Sequence, residues 1–168
     1  GAIKHLRSNS NSDDFASSEH AILEVIEFFN LSLDDEIILL QPTSPLRDSK
    51  VLMDFLIKWE MYRKEFEQAI SVTEFSKILW NVGIDGKAQD LFNRFTGIKT
   101  SRKSTERTKY FEENGAIYLS KISTLVETQS LVGGKLKLIE IPKLASIDID
   151  TIEDFELAEK IHSCIYEK

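Results

Sequence analysis

Two carboxylates two residues apart, Asp148 and Asp150, stand in the stretch SIDIDTIEDFELAE, residues 146–159, after an apolar run and before a helical pattern. In an extended chain side chains alternate faces, so Asp148 and Asp150 point one way while Ile147 and Ile149 anchor the core. Carboxylates so placed repel unless a cation lies between them, and hard oxygen ligands of this kind suit Mg²⁺ held together with nucleotide phosphates. Capping competes with that reading: Asp150 or Thr151 can begin the last helix, and Glu153 and Asp154 favour its positive end. For a DxDT segment on its own, capping is the commoner role. A phosphatase with a nucleophilic aspartate ranks lowest, because Ile152 stands where its motif needs Thr or Val and the motif lies at the wrong end of the chain.

A second chemical stretch is LLQPTSPLR, residues 39–47. In open α/β sheets ligands collect at the carboxyl ends of strands, where Gln41, Thr43 and Ser44 would emerge. Pro42 and Pro45 restrict the loop. One amide and two hydroxyls can donate and accept, which suits a polyhydroxylated ligand such as a sugar. A plain proline turn, with Ser44 starting a helix, is the alternative.

The elements that must position these residues follow from periodicity. GAIKHLR reads as a short strand, and SNSNSDDFASS as a polar loop. Residues 18–29 have helical spacing, with Ser17 or Ser18 as cap. DEIILLQP is a continuous apolar strand stopped by Pro42, which implies a parallel sheet covered on both faces. Residues 50–66 form another helix, followed by the strand AISVT. Asp85-Gly86 marks a hairpin, and the polar run KTSRKSTERTK follows it. NGAIYL reads as a strand entered through an Asn-Gly turn, and residues 121–127 as a short helix. KLKLIEIP is a strand, and residues 151–166 a helix with Ile152, Phe155, Ala158, Ile161 and Ile165 inward. The alternation gives an α/β domain with a mostly parallel sheet and one inserted hairpin.

The bulk composition excludes several classes. The chain has 168 residues, 42% hydrophobic and 29% charged, and no run approaches the roughly 18 apolar residues of a membrane helix. A net charge of −7 opposes general nucleic-acid binding, which needs clustered Lys and Arg. His5, His20 and His162 lack partners at zinc-ligand spacing. A single cysteine, Cys164, expected to be a small buried or half-buried hydrophobe, and the lack of a basic apolar leader point to a cytosolic setting. Trp59 and Trp80 are expected to fill core or interface space.

Four islands, in order, resemble the acylneuraminate cytidylyltransferases, also called CMP-sialic acid synthetases, over nearly the whole chain: HLRSNSNSDDFASS, LLQPTSPLR, NGAIYL and SIDIDTIEDFELAE. The second and fourth are specific. The resemblance implies a Rossmann-like sheet of the nucleotide-diphospho-sugar transferase type. It also implies transfer of CMP from CTP to the anomeric hydroxyl of a nine-carbon acidic sugar, with pyrophosphate leaving. Asp148 and Asp150 would hold Mg²⁺ on the triphosphate, one of them helping to deprotonate the attacking hydroxyl. Arg7 would contact the nucleotide and Ser18 the sugar. Gln41 and Thr43 would hold the sugar's glycerol or N-acyl side, and Tyr118 would line the same pocket. Residues 76–110 would form the hairpin arm of a homodimer within one partial domain spanning 1–168.

The chain also departs from that family. Its N-terminal βαβ part, with the Gly, Ser and Lys-rich loop that cradles the triphosphate, has no counterpart before Gly1, so the chain alone is expected to be inactive. Leu131 and Val132 replace an aromatic pair, which alters the sugar pocket wall. STERT, residues 104–108, replaces a stretch whose arginine reaches the sugar carboxylate, leaving Arg102 or Arg107 for that role. Activation of legionaminic acid or Kdo is the nearest alternative, and a noncatalytic sugar-binding or dimerisation remnant is the alternative from another class.

Overall fold

A computed structural model describes residues 2–8, 17–75, 77–92, 97 and 109–166. Two compact units divide the chain: residues 1–72 with 113–168, and residues 73–112.

In the larger unit, Ser17 caps α1 (Ser18–Phe28), its hydroxyl accepting from the His20 N–H. Strand β1 (Glu36–Leu39) follows. Asp48 caps α2 (Ser49–Tyr62) by accepting from Val51 N–H at 2.8 Å. Next come β2 (Gln68–Phe75), β5 (Tyr110–Lys121), α3 (Ile122–Thr128) and β6 (Leu136–Glu140). A 3₁₀ turn at Lys143–Ser146 leads to α4 (Ile152–Tyr166). The four strands form one sheet in the order β1-β5-β2-β6.

That sheet is mixed. β2 and β6 run parallel, from Gln68 opposite Leu136 to Val72 opposite Glu140. β1, however, pairs antiparallel with β5, from Glu36 opposite Lys121 to Leu39 opposite Tyr118. The apolar run of β1 reports helices on both faces, and a mixed sheet supplies those as well as a parallel one does. Alternation along β1 and β5 divides the core. Ile38, Ile117 and Leu119 pack with Phe55 and Trp59 of α2, whereas Ile37, Leu39 and Tyr118 pack with Ile22 and Ile26 of α1 and Leu125 of α3. Trp59 is 1% exposed, and its ring N–H donates to Glu36. Each inner residue of this kind contributes roughly 1.5–3 kcal/mol by leaving water.

Several expectations need correction. Residues 2–8 form no strand; Ile3 and Leu6 are exposed, and side-chain bonds to Glu24 hold the segment instead of a ladder. Asn114-Gly115 is no entry turn. It lies within β5, where Gly115 takes φ +70°. That left-handed residue shifts the strand's phase, so the consecutive residues Ala116 and Ile117 both join the α2 cluster. Among the described side chains of α4 only Ala158 is buried; Ile152, Phe155 and Ile165 are exposed, so the helical period located the helix without giving its burial. Cys164 is exposed too.

In the smaller unit β3 (Trp80–Val82) pairs antiparallel with β4 (Ala88–Asp90), and Gly86 takes φ +75° in the turn, as the Asp-Gly signal requires. Trp80 is exposed on this hairpin. Most of the polar run after it, with Arg102 and Arg107, lies outside the described residues, as do residues 9–16 of the first polar loop.

Candidate active site

The loop after β1 is where chemistry gathers. Arg7, Ser18, Gln41 and Thr43 line one cavity of about 520 Å³, together with His5 and an apolar wall from α1 and β1. Four of the seven residues singled out by sequence therefore share one space, although they come from positions far apart in the chain. Arg7 arrives on the segment 2–8, which a single carboxylate seats: Glu24 accepts from His5 Nε2 at 2.9 Å, from Ser8 N–H at 2.9 Å and from Ser8 Oγ at 2.6 Å.

Gln41 joins this cavity to the acidic loop. A Cβ built on Gly115 would lie 2.7 Å from Gln41 Oε1 and 3.5 Å from Asp148 Oδ2, so amide and carboxylate both close on the glycine. The backbone ties the same two loops, because Ile149 N–H donates to the Thr43 carbonyl at 2.9 Å. Asp148 is half-buried, and its Oδ1 is buried without a hydrogen-bond partner. A buried carboxylate oxygen without a donor is costly, and a cation is the natural remedy.

Asp150 differs. Residues 147–150 are not strand, so alternation across a pleat does not fix where the two carboxylates point. Asp150 is exposed, and its N–H donates to Asp154 Oδ2. Thr151 and Asp154 form a reciprocal cap: Thr151 N–H and Oγ1 donate to Asp154 Oδ2 at 2.9 and 2.8 Å, and Asp154 N–H donates back at 3.2 Å. These bonds from Thr151 hold the Asp154 carboxyl below the usual carboxylate range. Thr151 and Asp154 thus serve the helix, and the Asp148 side chain takes no part in that cap. Among the described residues no cluster of three or more acids, histidines or cysteines surrounds a metal position. Two carboxylates with one orphaned oxygen fit an ion that takes its remaining ligands from phosphate oxygens and water, as Mg²⁺ does.

Tyr118 does not line the cavity. Its ring packs against the α1 and α3 cluster, and its hydroxyl donates to Glu113 Oε1 at 2.6 Å. Burial first, then the Glu113 bond and the charges of Glu113, Asp148 and Glu19, raise its pKa, so it stays a proton donor at neutral pH.

Sequence reasoning missed the supports. Asn114, 7% exposed, accepts from Ser71 Oγ at 2.6 Å and donates to Ser146 Oγ at 2.9 Å, and Ser71 Oγ accepts from Ile117 N–H. Arg47 Nη1 donates to the carbonyls of Gln41 at 3.0 Å and Ala116 at 2.7 Å, and burial lowers its pKa. The available signals were an Asn-Gly inside a strand pattern and an arginine closing the proline loop.

No protein-family model matches the chain. By fold it is an α/β domain with a mixed sheet: it superposes on 4-diphosphocytidyl-2C-methyl-D-erythritol synthase from Anaerococcus prevotii with a TM-score of 0.59 at 9% identity, over 87% of this chain and 66% of that one. By sequence it is similar to CMP-N,N'-diacetyllegionaminic acid synthase of Legionella pneumophila, 25% identical over 95% of this chain and 68% of the relative. It is also similar to pseudaminic acid cytidylyltransferases from two strains of Campylobacter jejuni, 23% identical over 96% of this chain and 69% of each relative. The resemblance read from the four islands is borne out at this level.

Proposed function

We propose that this protein transfers CMP from CTP to a nonulosonic acid, releasing pyrophosphate. The observation that carries the reading is the convergence of Gln41, Gly115 and Asp148 beside the cavity lined by Arg7, Ser18 and Thr43. The similarity to synthases named for legionaminic and pseudaminic acids supports it.

In this reading Asp148 and Asp150 hold Mg²⁺, which when bound neutralises charge on the triphosphate and the leaving pyrophosphate. Gln41 and Thr43 orient the sugar, whose hydroxyls and N-acyl groups match an amide and a hydroxyl as both donors and acceptors. Arg7 offers a fixed positive charge to the nucleotide, and Ser18 a hydroxyl to the sugar. Tyr118, kept protonated, donates to Glu113 rather than to the sugar. The reaction needs placement and charge neutralisation more than covalent help from the protein, and these residues supply both. The β3–β4 hairpin serves as a dimer arm and the enzyme works in the cytoplasm. Among the described residues no helix is long and apolar enough to cross a membrane.

The test is pyrophosphate release by the natural full-length protein from CTP and Mg²⁺ with legionaminic, pseudaminic, N-acetylneuraminic acid and Kdo in parallel. Turnover is expected with a nine-carbon acid and weakest with the eight-carbon Kdo. Sugar binding by calorimetry without CTP binding or turnover would instead establish the noncatalytic remnant.

A further inference from the structure

The antiparallel register of β1 and β5 sets residue pairs whose numbers sum to a constant: Glu36 with Lys121, Leu39 with Tyr118. Continued two steps, it would place Gln41 opposite Ala116. The ladder stops at Leu39 instead, and at the position where Gln41 and Ala116 would pair, one nitrogen of Arg47 donates to the carbonyls of both. Two carbonyls cannot bond each other; a guanidinium between them satisfies both and keeps the strands apart. The same widening coincides with the kink at Gly115, into which the Gln41 side chain and Asp148 close. Arg47 is half-buried and forms no ion pair with a carboxylate among the described residues, so its hydrogen bonds to backbone rather than a salt bridge define its place.

We propose that Arg47 is a positioning residue: a guanidinium wedge that ends the β1–β5 ladder at Leu39 and thereby sets the Gln41 amide beside Asp148, tuning recognition of the sugar without touching it. The inference rests on the reading of Gln41 as a sugar contact. A lysine cannot replace it fully: both bonds come from one NH₂ group whose two N–H directions are fixed in the guanidinium plane, whereas an ammonium is a freely rotating point charge.

The test compares the natural full-length protein with Arg47→Met and Arg47→Lys. With CTP, Mg²⁺ and the best nonulosonic acid, Arg47→Met is expected to raise the sugar KM by about tenfold or more, as a displaced contact does, while the CTP KM stays within about twofold. Arg47→Lys should fall between, and amide exchange should change at residues 41–44 and 115–117 but not elsewhere. An unchanged sugar KM in the folded variants, or equal rises in both KM values, would overturn the proposal. Should Arg47→Met fail to fold, the same criteria apply to Arg47→Lys. If the wild type releases no pyrophosphate with any acid, the catalytic reading fails, and unaltered exchange at Gln41 and Ala116 in the variants would then sink the wedge separately.

Discussion

Around Gly115 the chain turns its polar groups on one another: Ser71, Asn114 and Ser146 form a chain of bonds, Arg47 gathers two carbonyls, and Gln41 and Asp148 close on the glycine. Around Glu24 one half-buried carboxylate seats an otherwise exposed segment carrying Arg7. The first region holds its parts by burial and the second by a few local bonds. Replacing the hydrogen-bonded groups of the first should therefore disturb fold and site together, whereas replacing Asp148, whose Oδ1 has no hydrogen-bond partner, or a group of the second should disturb ligand handling alone.

Asp148→Asn probes the contrast most severely. It removes the charge at the orphaned oxygen while keeping shape, so pyrophosphate release should fall by roughly 10²–10³-fold, about 3–4 kcal/mol of barrier, with the thermal midpoint preserved. A variant that retains full Mg²⁺-dependent turnover would remove Asp148 from the site. Gly115→Ala comes next. The left-handed conformation costs a non-glycine residue about 1–2 kcal/mol, and the new methyl meets the Gln41 amide. Urea unfolding should record the loss, and the sugar KM should rise with it; an unaffected variant would show that the kink is dispensable.

Thr151→Ala separates the helix-capping half of the acidic motif from its metal half. Loss of the cap should cost about 1 kcal/mol in urea unfolding, with the Mg²⁺ requirement unaltered. The sign of the pH effect follows from Asp154, whose folded pKa is depressed. Its contribution is present above the ordinary carboxylate range and disappears as the pH falls through the lowered folded value. The wild type should lose thermal stability on acidification through that window, and Thr151→Ala should lose less of it. The smallest effect belongs to Glu24→Ala, expected to change stability within about 1 kcal/mol, as partly exposed pairs do, while the CTP KM rises. A large drop in melting temperature there would erase the distinction between the two regions.

Much of this arrangement was legible from residue order. Helices α1, α2 and α3, the hairpin and strand β6 follow from spacing and turn residues, because local periodicity reports which face is covered. What escaped was non-local. The direction of β1 relative to β5 depends on a partner some eighty positions away, which no local pattern encodes. Burial on α4 depends on what covers it, so Phe155 and Ile152 kept helical spacing without becoming core. Gln41 and Thr43 were singled out because they follow an apolar strand, where ligands gather in open α/β sheets; Arg47 and Asn114 were not, because Arg47 bonds backbone carbonyls and Asn114 bonds serines distant in the chain.

The position of Cys164 has a practical consequence. A chain with one sulfhydryl, and that one open to solvent, accepts a maleimide dye at a single point. Mixing donor-labelled and acceptor-labelled copies would then turn self-association into an optical signal, readable before any sugar acid is in hand.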